Sequence, residues 1–254
     1  MSKFKPCGTC TVSTPLHFQQ AYQNASEAMD TVVQSALPPL REVPGRKAYQ
    51  ARRINAQGMQ SFVVKGLKPQ RPVFYFGAES RKVGLPLQHK DEAYGSLTNS
   101  GMTHTNTEGT LRVSLECPQI YIFDNGIVYP RHFHFVYGDE TTGEWDDMVQ
   151  TVPVLCIVEP SFLDSLPRGA RVVDARPLEY FQQGHLEGAV SLPADAQYTP
   201  QQVKKILSIQ KEQTPIVVYC GNPRCLMARN LAEQLNALGF HNLFYLQAGY
   251  DAFL

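Results

Sequence analysis

Residues 215–235 read PIVVYCGNPRCLMARNLAEQL, and no other stretch limits the fold as tightly. Ile216, Val217, Val218 and Tyr219 are a short run of β-branched and aromatic residues, the composition of a buried strand. Cys220 follows, then Gly221, Asn222, Pro223 and Arg224, then a second thiol, Cys225. From there Leu226, Ala228, Leu231, Ala232, Leu235 and Leu238 keep helical spacing, and Gly239 stands where a C-cap glycine belongs. A buried strand that hands over to a helix predicts an α/β unit. It also places Cys220 where loop and first-turn amides have no intrahelical partners and the helix dipole is positive. Such a niche lowers a thiol's pKa and yields a nucleophilic thiolate. The same position suits a small inert core residue, which free cysteine commonly is. The loop by itself does not choose between the two.

The surrounding sequence continues the pattern. Apolar runs at 154–158, 171–175, 189–193 and 242–246 predict four more strands. Helical stretches are predicted at 161–166, 178–183 and 199–211, the last capped by Thr199 with Pro200 in its first turn. Cys156 lies inside an apolar run and reads as core. The expected unit is a mostly parallel sheet with helices on both faces and a ligand site at the carboxyl ends of its strands. Cys220 is at one of those ends.

The grammar of residues 1–150 is different. Ser13-Thr14-Pro15 begins a predicted helix over 17–37, stopped by Pro38 and Pro39. Runs at 61–64 and 73–76 are predicted strands, the polar stretch 77–109 reads as long loops with room for a short edge strand, and Leu111, Val113 and Leu115 alternate as a strand does. Asn125-Gly126 between two β runs predicts a hairpin. His132 and His134 share one strand face, the arrangement of strand-borne metal ligands. Glu116, Asp139 and His104 are merely available to complete such a site, so a solvent-facing polar row is the expected role. Cys7 and Cys10 form a lone Cys-x-x-Cys, with Cys117, His132 and His134 as candidate completing ligands that nothing in the sequence places nearby. No metal and no cofactor is expected. The expected architecture is a two-domain α+β chain. A helix and an antiparallel β sandwich or barrel-like domain fill 1–150, and a mostly parallel α/β domain fills 151–254.

Lys plus Arg and Asp plus Glu number 23 each, so the formal net charge is zero, which argues against a dedicated nucleic-acid or anionic-membrane binder. The arginines and lysine of 41–57 read as a solvated face. No apolar run approaches the ~20 residues of a spanning helix, and the opening MSKFKPCGTC lacks the apolar centre of a secretory signal. The expected setting is therefore cytoplasmic by default, with the six cysteines mostly reduced.

Three spaced motifs upstream of Cys220 carry a resemblance. Val173-Asp174-Ala175-Arg176, then Glu179-Tyr180-Phe181, then Gly184-His185-Leu186-Glu187-Gly188-Ala189-Val190-Ser191-Leu192-Pro193 resemble the rhodanese-like domain, and Leu246 to Gly249 resembles its closing Leu-x-Gly-Gly, with Ala248 in place of the first glycine. The resemblance covers about residues 152–254; the N-terminal part resembles no family. It implies a sulfurtransferase. Cys220 would attack a sulfur donor such as thiosulfate or a protein persulfide, carry the sulfur as a persulfide and pass it to a thiol acceptor. Arg224 would bind an anionic donor with its guanidinium fork, alongside Gly221, Asn222 and Cys225. Asp174 and Arg176 would brace loops through charge-assisted hydrogen bonds, and His185 would be structural.

The loop departs from the common Cys-x-x-Gly-x-Arg form. Arg224 stands one place early, Cys225 takes the arginine's place, and Pro223 removes an amide donor. Cys225 is either a resolving thiol for Cys220 or a small filler. The alternative to catalysis is a non-catalytic interaction module in a structural or assembly protein, and a protein partner through the N-terminal part is a further expectation.

Overall fold

The computed structural model describes residues 37, 58–80, 86–95, 97–122 and 126–254. Apart from Leu37, the helix expected at 17–37 lies outside the described residues, as do Cys7, Cys10 and the basic stretch at 41–57.

The first half is built from short strands: β1 (Met59–Val64), β2 (Pro72–Gly77), β3 (Leu87–Gln88), then α1 (His89–Tyr94), β4 (Ser100–His104), β5 (Leu111–Glu116), β6 (Tyr121–Ile122), β7 (Val128–Tyr129), β8 (His132–Asp139), β9 (Glu144–Trp145) and β10 (Gln150–Pro153). Strands β10, β8, β2 and β4 form, in that order, an antiparallel sheet, and β9 pairs with β8. β1 and β5 are a separate antiparallel pair, and β3, β6 and β7 a small third sheet. The alternation of β8 explains the layering. Phe133, Phe135 and Tyr137 face the β1–β5 pair and pack with Leu111, Val113 and Leu115. Val136, with Phe74 and Phe76 of β2, packs against Leu87, Tyr94, Tyr121 and Tyr129 on the opposite face.

Two expectations are corrected here. The polar stretch 77–109 holds the short edge strand allowed for, β4, but it also holds β3 and the helix α1, which a reading as loops leaves out. Its local signal is weak, and β4 is fixed instead by pairing with β2, Phe74 opposite Met102. His132 and His134 do not form a solvent-facing row. Both are buried, because α1 and β6 bring Tyr94 and Tyr121 over that face of β8.

The second half is mixed α/β with an all-parallel sheet. Its elements are β11 (Cys156–Val158), a 3-10 turn (Pro160–Ser165), β12 (Arg171–Asp174), α2 (Leu178–Gln183), β13 (Val190–Ser191), α3 (Pro200–Leu207), β14 (Ile216–Tyr219), α4 (Met227–Ala237), β15 (Leu243–Leu246) and a closing 3-10 turn (Tyr250–Phe253). The strand order is β11-β15-β14-β12-β13. On one face Ile216 and Val218 pack with Val203, Leu207, Leu231 and Leu235 of α3 and α4. On the other, Val217, Tyr219 and Phe244 pack with Leu186 and the 3-10 residues Phe162 and Leu163. Thr199 opens α3 as predicted: its side chain accepts from the Gln202 amide while the Gln202 side chain accepts from the Thr199 amide, a capping box. The helix stops short of 211 because Ser208 turns left-handed, φ 51°.

Among the described residues the halves are tied by the Gln60 side chain, which donates to the Ile157 carbonyl at 2.8 Å and accepts from its amide at 2.9 Å, and by two further contacts. Cys117, after β5, is disulfide-bonded to Cys156 of the sheet's edge strand. Cys156 is buried as expected of a core residue, but the expectation of mostly reduced cysteines fails for this pair, and Cys117 is not available as a metal ligand. Arg131, at the start of β8, is 2% exposed. It donates to the carbonyls of Pro118 at 2.7 Å and Leu243 at 3.3 Å and to Asn242 Oδ1 at 2.5 Å, and its guanidinium lies 4.1 Å from the Phe244 ring centre. Backbone and amide acceptors thus hold a charge that burial pushes down to about 9.

Candidate active site

The parallel sheet presents two thiols at the carboxyl end of its central strand. Cys220 follows β14 directly and is 1% exposed; Cys225 is half-buried, and both are free. The segment between them is a turn written by Asn222. Its carbonyl accepts from the Cys225 amide at 3.0 Å, and its side-chain oxygen accepts from the Arg224 amide at 3.1 Å. That turn delays α4 to Met227, so Cys225 lies in the loop and not in the helix's first turn.

The two thiols influence each other's acidity. The Cys220 thiol donates to the Cys225 carbonyl at 3.2 Å. Its pKa is raised, first by the neighbouring Cys225 side chain and then by burial. Cys225 is lowered to about 6, chiefly by the Cys220 side chain, then by the amides of Met227 and Gly221 and by the charge of Arg176. The pair therefore gives up one proton readily and the second with difficulty.

Asp174 and Arg176 stand beside this loop. Asp174, fully buried at the end of β12, accepts from the Arg176 amide at 2.9 Å and from its guanidinium at 2.6 to 3.1 Å. The same guanidinium donates to the Gly184 carbonyl at 2.6 Å and stacks over the Tyr250 ring at 4.5 Å. One ion pair thus fixes three segments around the thiols. His185 stacks on Phe181 with ring centres 3.8 Å apart and lies within 2.9 Å of its carbonyl, a structural arrangement. Arg224 is exposed on the turn, adjacent in sequence to Cys225.

Residues the sequence reading passed over complete the site. Cys220 and Gly221 offer their carbonyls to the amides of Tyr250 at 2.8 Å and Asp251 at 2.9 Å, so the closing turn stitches the loop down. Tyr245 donates its hydroxyl to the Cys225 carbonyl at 3.4 Å. The closing motif at 246–249 was the available signal for this contact. Gly249 has φ 72°, and a Cβ there would lie 2.5 Å from the Gly221 carbonyl oxygen and 2.7 Å from the Asn222 nitrogen. Gly249→Ala is therefore expected to cost roughly 2 kcal/mol or more and to push the loop away from the closing turn. Chemical denaturation together with the alkylation rate of Cys225 measures both effects.

A cleft of about 350 Å³ opens beside the loop, lined by Pro223, Leu226 and Tyr245 from the second half and by Phe62, Val64 and Val154 from nearer the first. Among the described residues no group of three or more His, Cys, Asp or Glu side chains is placed to hold a metal ion, and no helix is long and apolar enough to cross a membrane.

Residues 160–254 match the family model of the rhodanese-like domain. Among solved structures the human single-domain sulfurtransferase TSTD1 is 22% identical, the match covering 39% of this chain and 96% of that one with a TM-score of 0.32. The Saccharomyces cerevisiae single-domain sulfurtransferase RDL2 is 11% identical, over 40% of this chain and 89% of that one, with a TM-score of 0.33. SseA from Escherichia coli, described with the rhodanese fold of 3-mercaptopyruvate sulfotransferases, is 22% identical over 38% of this chain and 42% of that one, TM-score 0.30. No curated protein matches the chain.

Proposed function

We propose, from the rhodanese-like domain that residues 160–254 form, that this chain is a sulfurtransferase moving sulfane sulfur through a persulfide on Cys220. The observation that supports the reading is the thiol pair: a strand-end cysteine whose thiol donates to the Cys225 carbonyl, beside a second thiol whose own pKa is lowered. In this reading the Cys220 thiol gives up its proton to the neighbouring Cys225 sulfur, which leaves Cys220 as the thiolate. Cys220 then attacks the outer sulfur of a donor such as thiosulfate. A Cys220–sulfur bond forms, the donor's sulfur–sulfur bond breaks, and sulfite leaves with the electron pair. An acceptor thiolate attacks the terminal sulfur of the persulfide, and the Cys220 thiolate is released.

In this reading Arg224 meets an anionic donor arriving at the exposed turn, with Gly221 and Asn222 shaping the loop. Asp174 and Arg176 position it and lend positive potential to Cys225. Residues 151–254 form one domain and 1–150 another, a division supported by the change from antiparallel to parallel pairing between β10 and β11. The cytoplasmic setting stays a default, and the Cys117–Cys156 disulfide argues for a more oxidising one.

One observation favours a second reading. Cys220 is almost wholly buried, as suits a non-catalytic interaction module. Incubation with thiosulfate or a small persulfide, followed by intact-mass measurement, separates the two. Catalysis predicts a cyanide-labile gain of one sulfur that Cys220→Ser abolishes. No adduct with any donor rejects it.

A further inference from the structure

A second cluster of chemically capable side chains lies in the first half, remote in sequence from the thiols. The Nε2 atoms of His132 and His134 are 3.1 Å apart. The Tyr94 hydroxyl is 3.1 Å from the first and 3.3 Å from the second, and the Tyr121 hydroxyl is 3.4 Å from His132 Nε2. The Tyr94 and Tyr121 rings meet edge to face with centres 5.3 Å apart. All four residues are at most 1% exposed.

His132 Nδ1 lies 2.6 Å from the Pro130 carbonyl, which can only accept, so Nδ1 carries the proton and Nε2 presents its lone pair. That lone pair faces three polar atoms within 3.4 Å. The four atoms can share hydrogen bonds, and they also converge as the ligands of one cation do.

The distances suit that cation. For a tetrahedral ion with ligand bonds of ~2.0–2.1 Å, ligand atoms stand ~3.3–3.4 Å from one another. The four measured separations run from 3.1 to 3.4 Å. The outer contacts also match a ligand set. His132 Nδ1 is held by the Pro130 carbonyl and His134 Nδ1 lies 2.9 Å from the Thr151 hydroxyl, the kind of second partner that orients a metal-binding imidazole.

We infer that Tyr94, Tyr121, His132 and His134 form a closed, structural binding site for a divalent first-row transition-metal ion. Two imidazoles select the zinc, copper and cobalt class over magnesium or calcium. As each metal–oxygen bond forms, the phenol's proton leaves to solvent. Two phenolates and a divalent ion make a neutral buried unit, which lowers the cost of holding charge away from water. The four ligands come from α1, β6 and β8, so the ion would pin the hairpin and helix onto the central sheet. Because the site is closed, binding is coupled to folding.

The test is to unfold the full chain with chelator, refold it with Zn²⁺, Co²⁺ or Cu²⁺ in turn, desalt, and measure metal by mass spectrometry. About one equivalent of metal per chain is expected, with a phenolate-to-metal charge-transfer band in the Cu²⁺ form. Tyr94→Phe keeps the ring and removes one ligand atom. It should weaken binding at least tenfold and diminish the band. Thr151→Val should weaken binding by ~10- to 100-fold through the His134 contact. A folded wild-type chain that retains no more metal than the His132→Ala/His134→Ala double variant overturns the inference. So does undiminished affinity in Tyr94→Phe. If the double variant does not fold, the Tyr94→Phe and Thr151→Val comparisons decide alone.

Discussion

Asp174→Ala is expected to destabilise the chain by roughly 3–5 kcal/mol, read as a shifted midpoint in denaturant unfolding. The carboxylate is fully buried, and it is the only acidic partner of the Arg176 guanidinium among the described ion pairs. Removing it leaves a cation, 9% exposed, with the Gly184 carbonyl and the Tyr250 ring as its remaining supports. The cost is that of an unpaired buried charge and not the net worth of the bridge. Replacing both partners by apolar residues, Asp174→Leu with Arg176→Met, should therefore recover much of the loss. A fall below about 1 kcal/mol in the single variant would mean that water already reaches this pair.

Cys225→Ser should move the pH dependence of thiol reactivity. In the wild-type chain the pair's first proton is lost near pH 6, so alkylation should be half-maximal there and fade as pH falls further. Without the second sulfur, Cys220 keeps its burial and loses the proton-sharing partner. The observed midpoint should then rise above the ordinary thiol value of ~8.5, because the low-pKa thiol is gone and burial alone still raises Cys220. At neutral pH the rate should drop by roughly tenfold to a hundredfold, since each unit of pKa is a tenfold change in thiolate. The measurement is the rate of iodoacetamide labelling from pH 5 to 9. An unmoved midpoint would make Cys225 a filler.

Much of the second half was legible because its signals are local. The run Ile216–Tyr219 is the observed strand to the residue, and Thr199 caps its helix as predicted, with Gln202 as the partner the structure adds. The loop was harder. Helical spacing from Cys225 onward gave no hint that Asn222 would take two amides for its own turn and start the helix at Met227. The mutual influence of the two thiols depends on how the loop folds back, which no spacing rule supplies. In the first half the long-range pairings dominate. His132 and His134 alternate as an exposed row would, and only the long-range packing of α1 and β6 over that face reveals that it is covered. The Cys117–Cys156 bond joins two cysteines 39 residues apart, which counting cysteines could not pair.

The most direct test of the account is to find where the sulfur goes. The chain is treated with thiosulfate or a small persulfide, trapped with an alkylating agent, digested and mapped by mass spectrometry. The account predicts a trapped persulfide on Cys220, sensitive to cyanide, and none in Cys220→Ser. Sulfur found on Cys225 alone, or on neither thiol with every donor offered, would contradict it.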